Sequence, residues 1–104
     1  MIEPLIRVQV KIFSWFSGAL VPGLQSALLL EEELPAGSSL RTCFIQLAAR
    51  YAKFAEVIYD PREDILQAQV VVTHNGLLLV GSDRLDLVLQ SEDSIVLIPS
   101  YAGG

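Results

Sequence analysis

Three kinds of side chain in the sequence have reactive chemistry. Cys43 is the only cysteine and His74 the only histidine, so a thiol activated by an imidazole would require these two residues to meet in the fold. The segment 31–33 contributes three consecutive glutamates. We predict that Cys43 is a small core residue, that His74 lies at a partly exposed strand end, and that the glutamates form a solvated edge. No zinc-ligand spacing or glycine-rich phosphate loop is found, so no metal site is expected.

The C-terminus is a different candidate for chemistry. The sequence ends in IPSYAGG, so Gly103 and Gly104 closely follow an apolar run that predicts a strand. Glycine loses the most backbone entropy on ordering and contributes no side chain to a core, so folding does not require a glycine pair there. A disordered chain end that contains glycine by chance would also give this sequence. The elements upstream must decide between the two interpretations.

Hydrophobic alternation predicts the first two of these elements. In LIRVQVKIF the apolar residues alternate with polar ones, which predicts a half-buried strand. The apolar set on one side of that strand is Ile6, Val8, Val10 and Ile12. After a loop, ALLLEEEL predicts a second strand, and its periodicity does not fix which face is buried.

The segment SSLRTCFIQLAARYAKF changes to a helical period. Its apolar residues lie on one helical face, and Ser39 is a suitable N-cap. That face consists of Leu40, Cys43, Phe44, Leu47, Ala48 and Tyr51. We expect the helix to continue weakly through AEVIY until Asp60-Pro61 ends it.

The second half predicts a hairpin and a final strand. QAQVVVTHNGLLLVG contains the Asn75-Gly76 pair that is favoured in tight hairpins. SIVLIP, which Pro99 ends, is typical of a central strand. The order strand, strand, helix, strand, strand, strand predicts an α+β fold of the β-grasp (ubiquitin-like) type, a mixed sheet of about five strands with one main helix packed on one face and the last strand parallel to the first. We expect residues 1–104 to form a single domain with a flexible Gly-Gly tail at 99–104.

Five spaced motifs resemble one family over nearly the whole chain. They are an opening strand at Val8–Phe13, a step into the helix at Leu34–Leu40, a hairpin at His74–Gly76, a lead into the last strand at Leu89–Ile95, and the terminal segment Pro99–Gly104. In order and spacing they are similar to the MoaD/ThiS family of ubiquitin-like sulfur carriers. The resemblance is strongest to the small subunit of molybdopterin synthase.

The resemblance implies a non-enzymatic carrier. The carboxyl group of Gly104 would be activated by ATP as an acyl-adenylate and converted to a thiocarboxylate, which donates sulfur in molybdopterin (molybdenum cofactor) biosynthesis. Gly103 would give a slender approach through a narrow channel, since it has no Cβ. The other residues of the tail passage would be Ala102, Tyr101, Ser100 and Pro99. Tyr101 in particular could anchor the tail in a partner's pocket.

The implied partners are a ubiquitin-activating-type adenylyltransferase, which uses the ATP, and the large subunit of molybdopterin synthase, in a heterodimer or heterotetramer. No bound cofactor is implied. Three alternatives stay open: a sulfur carrier for thiamine or cysteine synthesis, a ubiquitin-like modifier conjugated to lysine amines through Gly104, and a plain interaction domain whose tail is dispensable.

The sequence departs from the family pattern at four places. Ser100 replaces a second proline, Glu92 replaces the glycine before Asp93, His74 occupies an apolar hairpin position, and the first loop is longer. Ser100 bears most on function, because a Pro-Pro pair would hold the tail extended.

Composition limits the classes of partner. Twelve acidic and seven basic residues give a net charge of -5, which argues against nucleic acid. A mean hydropathy of +0.48, with 52% apolar residues, implies either a rich core or an apolar patch covered by another chain. Phe13 and Trp15 could extend such a patch near the tail. One cysteine, no secretory signal and no membrane-spanning run favour the cytoplasm.

Overall fold

The computed structural model describes residues 4–100. In chain order its elements are β1 (Leu5–Ile12), α1 (Phe16–Leu20), β2 (Leu28–Pro35), α2 (Leu40–Arg50), α3 (Phe54–Val57), β3 (Tyr59–Asp60), β4 (Ile65–Leu66), β5 (Val70–His74), β6 (Leu77–Leu78), a 3₁₀ turn (Arg84–Asp86) and β7 (Ser94–Pro99).

Five strands form one mixed sheet in the order β2-β1-β7-β5-β6, and β3 and β4 pair separately. The first and last strands, β1 and β7, run parallel at the centre, whereas β2 and β5 pair antiparallel with them. The main helix α2 buries four residues in the core against this sheet. This confirms the predicted β-grasp fold, with the last strand beside the first.

The core has the composition that the alternation predicts. Six residues of β1, α2 and β7 form its centre, and each is at most 1% exposed. They are Val8, Val10, Phe44, Leu47, Ile95 and Leu97. Aromatic rings fill the space between α2 and the following segments: the Phe44 ring lies 5.7 Å from that of Phe54 and 5.9 Å from that of Tyr59, centroid to centroid.

Helix α2 begins and ends for local reasons. The Ser39 hydroxyl accepts a hydrogen bond from the backbone N–H of Thr42 at 3.3 Å, as an N-cap does. At Tyr51 the backbone is extended (φ -116°, ψ 109°), so the helix ends at Arg50. The expected continuation of the helix through AEVIY is therefore wrong. That segment forms the separate short helix α3 and enters β3.

The prediction of a solvated glutamate edge is correct for two acids and wrong for the third. Glu32 pairs with Val8 in the register, shares its face and is 1% exposed. Its carboxylate accepts hydrogen bonds from Gln46 Nε2 at 2.9 Å and from the Arg50 guanidinium. A buried carboxylate is tolerated when it is paired in this way, so Glu32 fastens β2 to α2.

The longer first loop contains a helix that the sequence did not predict. Helix α1 has five residues, and it buries Phe16 and Leu20 against the main core. Five residues are too few for a helical period to stand out from chance. The loop is therefore partly structural, and it covers one end of the core.

Candidate functional site

Strand β7 brings the C-terminal segment to the middle of the sheet. Pro99 pairs with Val70, and the N–H of Ser100 donates to the carbonyl of Gln69 at 2.6 Å. Pairing to β5 thus continues through the first two residues of the segment predicted as a tail. Tyr101, Ala102, Gly103 and Gly104 lie outside the described residues, so their roles and the flexibility of the tail stay predictions.

The sheet has one face turned away from α2, which we call the open face. Residues that pair side by side across strands share a face, and Val96 and Ile98 of β7 belong to the open one. Their partners on the neighbouring strands complete one half of this face, which we call the apolar half although it includes Lys11 and Thr73. These partners and those next to them are Lys11, Leu29, Val71, Thr73 and Leu78. This half surrounds the end of β7 from which the chain continues toward Gly104.

The other half of the open face is charged. The guanidinium of Arg7 lies 3.5 Å from the carboxylate of Glu31 and 3.9 Å from that of Glu33, and Gln9 Nε2 donates to Glu31 at 2.9 Å. These groups are exposed, so the ion pairs contribute little stability. They divide the open face into a polar end, where β7 begins, and an apolar end, where it finishes.

A polar network holds the beginning of β7. Asp93 has an 8% exposed side chain, and its carboxylate contacts His74 Nε2 at 2.8 Å, Asn75 Nδ2 at 3.0 Å and the N–H of Gln90 at 2.8 Å. Asn75 Oδ1 in turn accepts from the N–H of Ser94 at 2.8 Å. The network fixes the β5–β6 turn to the loop that starts the last strand.

Asp93 should make the free energy of unfolding depend on pH in the acidic range. Burial opposes its ionisation, but hydrogen bonds from Gln90, Asn75 and His74 outweigh burial and lower the pKa from the ordinary 3.8. Because the pKa is lower in the folded protein, this stabilisation is complete above the unfolded value and is lost as the pH falls through the folded value.

Urea unfolding at a series of pH values from 7 down to 2.5 measures the effect of Asp93. We expect Asp93→Asn to flatten the decline in the free energy of unfolding below pH 4. Glu63→Gln removes a negative charge from an exposed position and serves as the control. Equal slopes for the wild type and Asp93→Asn would contradict the prediction.

Glu92 explains one departure from the family pattern. Its φ is 73°, in the left-handed region that favours glycine, and its N–H donates to the carbonyl of Arg7 at 2.7 Å. A non-glycine residue in this conformation carries strain of about 1 kcal/mol. The position keeps the backbone geometry that a glycine would provide, so the departure does not alter the entry into β7.

The structure does not bring Cys43 and His74 together. Cys43 is fully buried on α2, and burial raises the pKa of its thiol to about 12, with the Glu32 carboxylate adding to the shift. His74 is engaged by Asp93 at the hairpin end. The predictions that Cys43 is a core residue and that His74 lies at a partly exposed strand end are confirmed. A buried thiol with a raised pKa is also a poor nucleophile.

Residues 4–100 contain few other places for chemistry. No group of three or more histidine, cysteine or acidic side chains in this range could hold a metal ion. No helix in this range is long and apolar enough to span a bilayer. One shallow cleft of about 300 Å³ lies beyond β6, lined by Leu79, Val80, Asp83, Arg84, Asp86 and Leu87.

Sequence reasoning missed the Asp93 network. The signal that could have found it is the coincidence of two turn motifs, Asn75-Gly76 and the Ser91-to-Asp93 segment. Each has an amide or carboxylate side chain suited to bonding nearby backbone. A single sequence does not show that the two turns meet.

Solved structures with the same fold were found. SAMP1, the small archaeal modifier protein 1 of Haloferax volcanii, superposes with a TM-score of 0.70 at 17% identity, covering 94% of this chain and 99% of its own. Urm1 from Trypanosoma brucei gives a TM-score of 0.67 at 20% identity, covering 99% and 100%.

A candidate molybdopterin converting factor, subunit 1, from Pyrococcus furiosus gives a TM-score of 0.66 at 26% identity, covering 91% of this chain and 98% of its own. No protein-family model matches the sequence, and no curated protein matches it at a significant level. The fold is thus shared over nearly the full length of each neighbour.

Proposed function

We propose that this protein is a ubiquitin-like sulfur carrier whose C-terminal Gly104 is adenylated, converted to a thiocarboxylate, and used to donate sulfur in molybdopterin biosynthesis. The observation that carries the proposal is the course of the last strand. β7 lies at the centre of a β-grasp sheet, and its backbone pairing continues to Ser100. Gly104 is four positions after Ser100. In this role the chain is the non-catalytic small subunit of a synthase.

The chemistry explains why the chain needs no catalytic side chain. A carboxylate oxygen of Gly104 would attack the α-phosphate of ATP, and pyrophosphate would leave. A hydrosulfide would then attack the carbonyl carbon of the acyl-adenylate, and the bond to AMP would break, which leaves a thiocarboxylate and AMP. The partner supplies ATP binding and catalysis. The carrier supplies a reactive carbon at the end of an extended backbone.

The proposed tail is suited to this task by reach and thinness. From Ser100 to Gly104 there are four residues, which span at most about 14 Å when extended. Two glycines at the end have no Cβ atoms and can enter a channel too narrow for other residues. A terminal glycine pair does not stabilise the fold, whereas a narrow channel in a partner's active site would admit such a pair.

Two partners follow from the proposal, an adenylyltransferase and the large subunit of molybdopterin synthase. Both must handle the same tail, so both would cover the apolar half of the open face. The net charge of -5 favours partners with a basic rim, because opposite charge raises the association rate while apolar burial supplies affinity. A cytoplasmic location is part of the proposal, since ATP and reduced sulfur are both available there.

The molybdopterin pathway is favoured by the resemblance of the motifs and by the Pyrococcus furiosus protein. That protein is named as a molybdopterin converting factor, and its identity of 26% is the highest of the three neighbours above. Thiamine or cysteine synthesis is the alternative use of the same thiocarboxylate. A second candidate function is protein modification, in which a lysine amine attacks the activated carbonyl. The name of SAMP1 as a modifier favours including it.

Intact-mass analysis after sulfuration tests the proposal. The chain is incubated with the adenylyltransferase of its native host, ATP and sulfide. We expect the mass to increase by the difference between a sulfur and an oxygen atom, and to stay unchanged when ATP is omitted. Protein copurified from the native host then separates the two candidates: conjugates with other proteins indicate a modifier, whereas an unconjugated thiocarboxylate indicates a carrier. A chain that is never modified in either way would refute both.

A further inference from the structure

Two aromatic side chains at the end of β1 form what we call the aromatic corner, Phe13 and Trp15. Ile12 pairs with Leu97 in the parallel register, and the N–H of Phe13 donates to the carbonyl of Leu97 at 3.0 Å. Phe13 therefore lies next to Ile98 at the apolar end of the open face. Ser100, the last described residue, is three positions beyond Leu97. The aromatic corner is thus at the end of the sheet from which the chain continues to its C-terminus.

Folding does not account for the aromatic corner. Phe13 is 36% exposed and Trp15 59% exposed, whereas the adjacent Phe16 is fully buried and supplies the packing of this loop. Trp15 also has a φ of 87° and a ψ of -62°, a conformation that is strained for a bulky residue. The Trp15 ring packs on one side against the Phe16 ring, 5.1 Å away centroid to centroid, but more than half of Trp15 is exposed to solvent. Exposed apolar rings of this kind are typical of surfaces that bind another molecule.

The electrostatics of this end differ from those of the polar end of the open face. The Lys11 ammonium lies 5.1 Å from the centroid of the Phe13 ring, on its face. The carboxylates of Glu31 and Glu33 are at the other end, where they pair with Arg7. The aromatic corner therefore presents apolar surface with a positive charge at its side, in a protein whose net charge is negative.

The short distance to the C-terminus determines what can cover this surface. At most about 14 Å of chain separates Ser100 from Gly104, so an enzyme that holds the Gly104 carboxylate in its active site must come within that distance of the end of β7. Such an enzyme comes close to the open face around Ile98. The aromatic corner is part of the surface within that distance, because the backbone N–H of Phe13 is hydrogen-bonded to Leu97 of β7.

We propose that the aromatic corner is the docking site for the ATP-using enzyme that activates the C-terminus, and that Trp15 enters an apolar pocket of that enzyme with an acidic group opposite Lys11. This proposal rests on the proposed function. Tryptophan is the residue most often found to dominate binding at such contacts, because its ring buries a large area with little loss of entropy. The aromatic corner thus selects the enzyme, and the glycine tail reacts within it.

Trp15 is the only tryptophan in the chain, so it reports on its own environment. The chain is labelled with 5-fluorotryptophan and its single ¹⁹F resonance is recorded with and without the unlabelled adenylyltransferase, in the absence of ATP. We expect the resonance to shift and broaden on binding. An unchanged resonance under conditions in which the complex forms, as judged by sedimentation, would refute the proposal. A shift that appears in the free chain on concentration alone would assign the aromatic corner to a second copy instead.

Sulfuration kinetics provide the second test. Trp15→Gly removes the ring and suits the positive φ, so the loop should keep its fold. We expect this variant to raise the KM for the carrier about tenfold or more, as loss of a dominant contact residue does, with kcat little changed. Val80→Ala alters a 71% exposed apolar residue beyond the β6 edge and should leave KM unchanged. Phe13→Ala, in a second variant, should raise KM by a smaller factor.

The two tests separate failure of this proposal from failure of the proposed function. If the wild-type chain gains sulfur and Trp15→Gly gains it with the same KM, the docking site is wrong and the carrier function stands. If the wild-type chain gains no sulfur with any adenylyltransferase of its host, the proposed function fails and this proposal fails with it.

Discussion

Deleting Gly104 should abolish sulfuration while leaving the fold intact. The deletion withdraws the terminal carboxylate by about 3.5 Å and places it on a different residue, so the reacting carbon no longer reaches ATP. Adding one residue after Gly104 should fail for the converse reason. Gly103→Val and Gly104→Val should fail because a branched side chain cannot enter a narrow channel. The measurement is the intact mass after incubation with the adenylyltransferase, ATP and sulfide.

A matched variant controls for nonspecific effects on the tail. Ala102→Gly makes the tail thinner without moving the carboxylate, so it should gain sulfur like the wild type. Urea unfolding of all the variants should give nearly the wild-type free energy, because chain ends generally contribute little to stability. If the extended chain gained sulfur as readily as the native one, the terminal glycine would not be the working group. Any longer deletion of the C-terminus must begin after Ser100. Leu97 is fully buried, and its removal would unfold the sheet.

Phe44→Ala should destabilise the protein by about 3 to 5 kcal/mol. Phe44 is fully buried on α2, and its ring packs against those of Phe54 and Tyr59. Truncation removes apolar contacts and leaves a cavity beside two rigid rings that cannot collapse into it. Urea unfolding followed by circular dichroism measures the loss, and the midpoint should fall without a change of slope.

The neighbouring residue provides the control for this core prediction. Ile45 lies on the same helix and is 45% exposed, so Ile45→Ala should cost well under half as much. Both substitutions place alanine, the best helix former, in the same helix, so helix propensity cannot explain a difference between them. Equal losses for the two variants would show that Phe44 is not a central part of the core.

The sequence predicts best the elements that have a long and regular period. Eight residues of alternation identify β1 and its buried face, and eleven residues of helical period identify α2 together with its Ser39 cap. The Asn75-Gly76 turn is recognisable because both of its residues adopt a positive φ. These signals are local, so a single sequence contains all of the information that they require.

The missed features depend on contacts between distant segments. Glu32 is buried because Gln46 and Arg50 of α2 reach it, and alternation within β2 cannot show that these partners exist. Helix α1 is short and is stabilised by the burial of Phe16 rather than by its own propensity. The Asp93 network joins two turns that are distant in the sequence. In each case tertiary contacts decide the outcome, and no local pattern predicts them.

The sequence also predicted the candidate site only in part. The sequence shows the glycine pair and its distance from the last strand directly, because the proposed backbone chemistry depends only on the position of these residues. The sequence predicted that Phe13 and Trp15 could extend an apolar patch near the tail. It did not show the open face, since the parallel register of β1 and β7 decides which residues surround the tail. Phe13 could have been a core residue from its sequence alone, and its 36% exposure shows that it is not.

The parallel pairing of β1 with β7 has a consequence for the synthesis of the protein. The two strands come from opposite ends of the chain, so their pairing must close nearly the whole chain into one loop, which is a slow step in folding. The central pair of the sheet can therefore form only after both strands have been synthesised. A nascent chain or a fragment without β7 would lack the central strand pair of the sheet. Under the proposed function, pairing of β7 with β1 would thus have to precede activation by the adenylyltransferase.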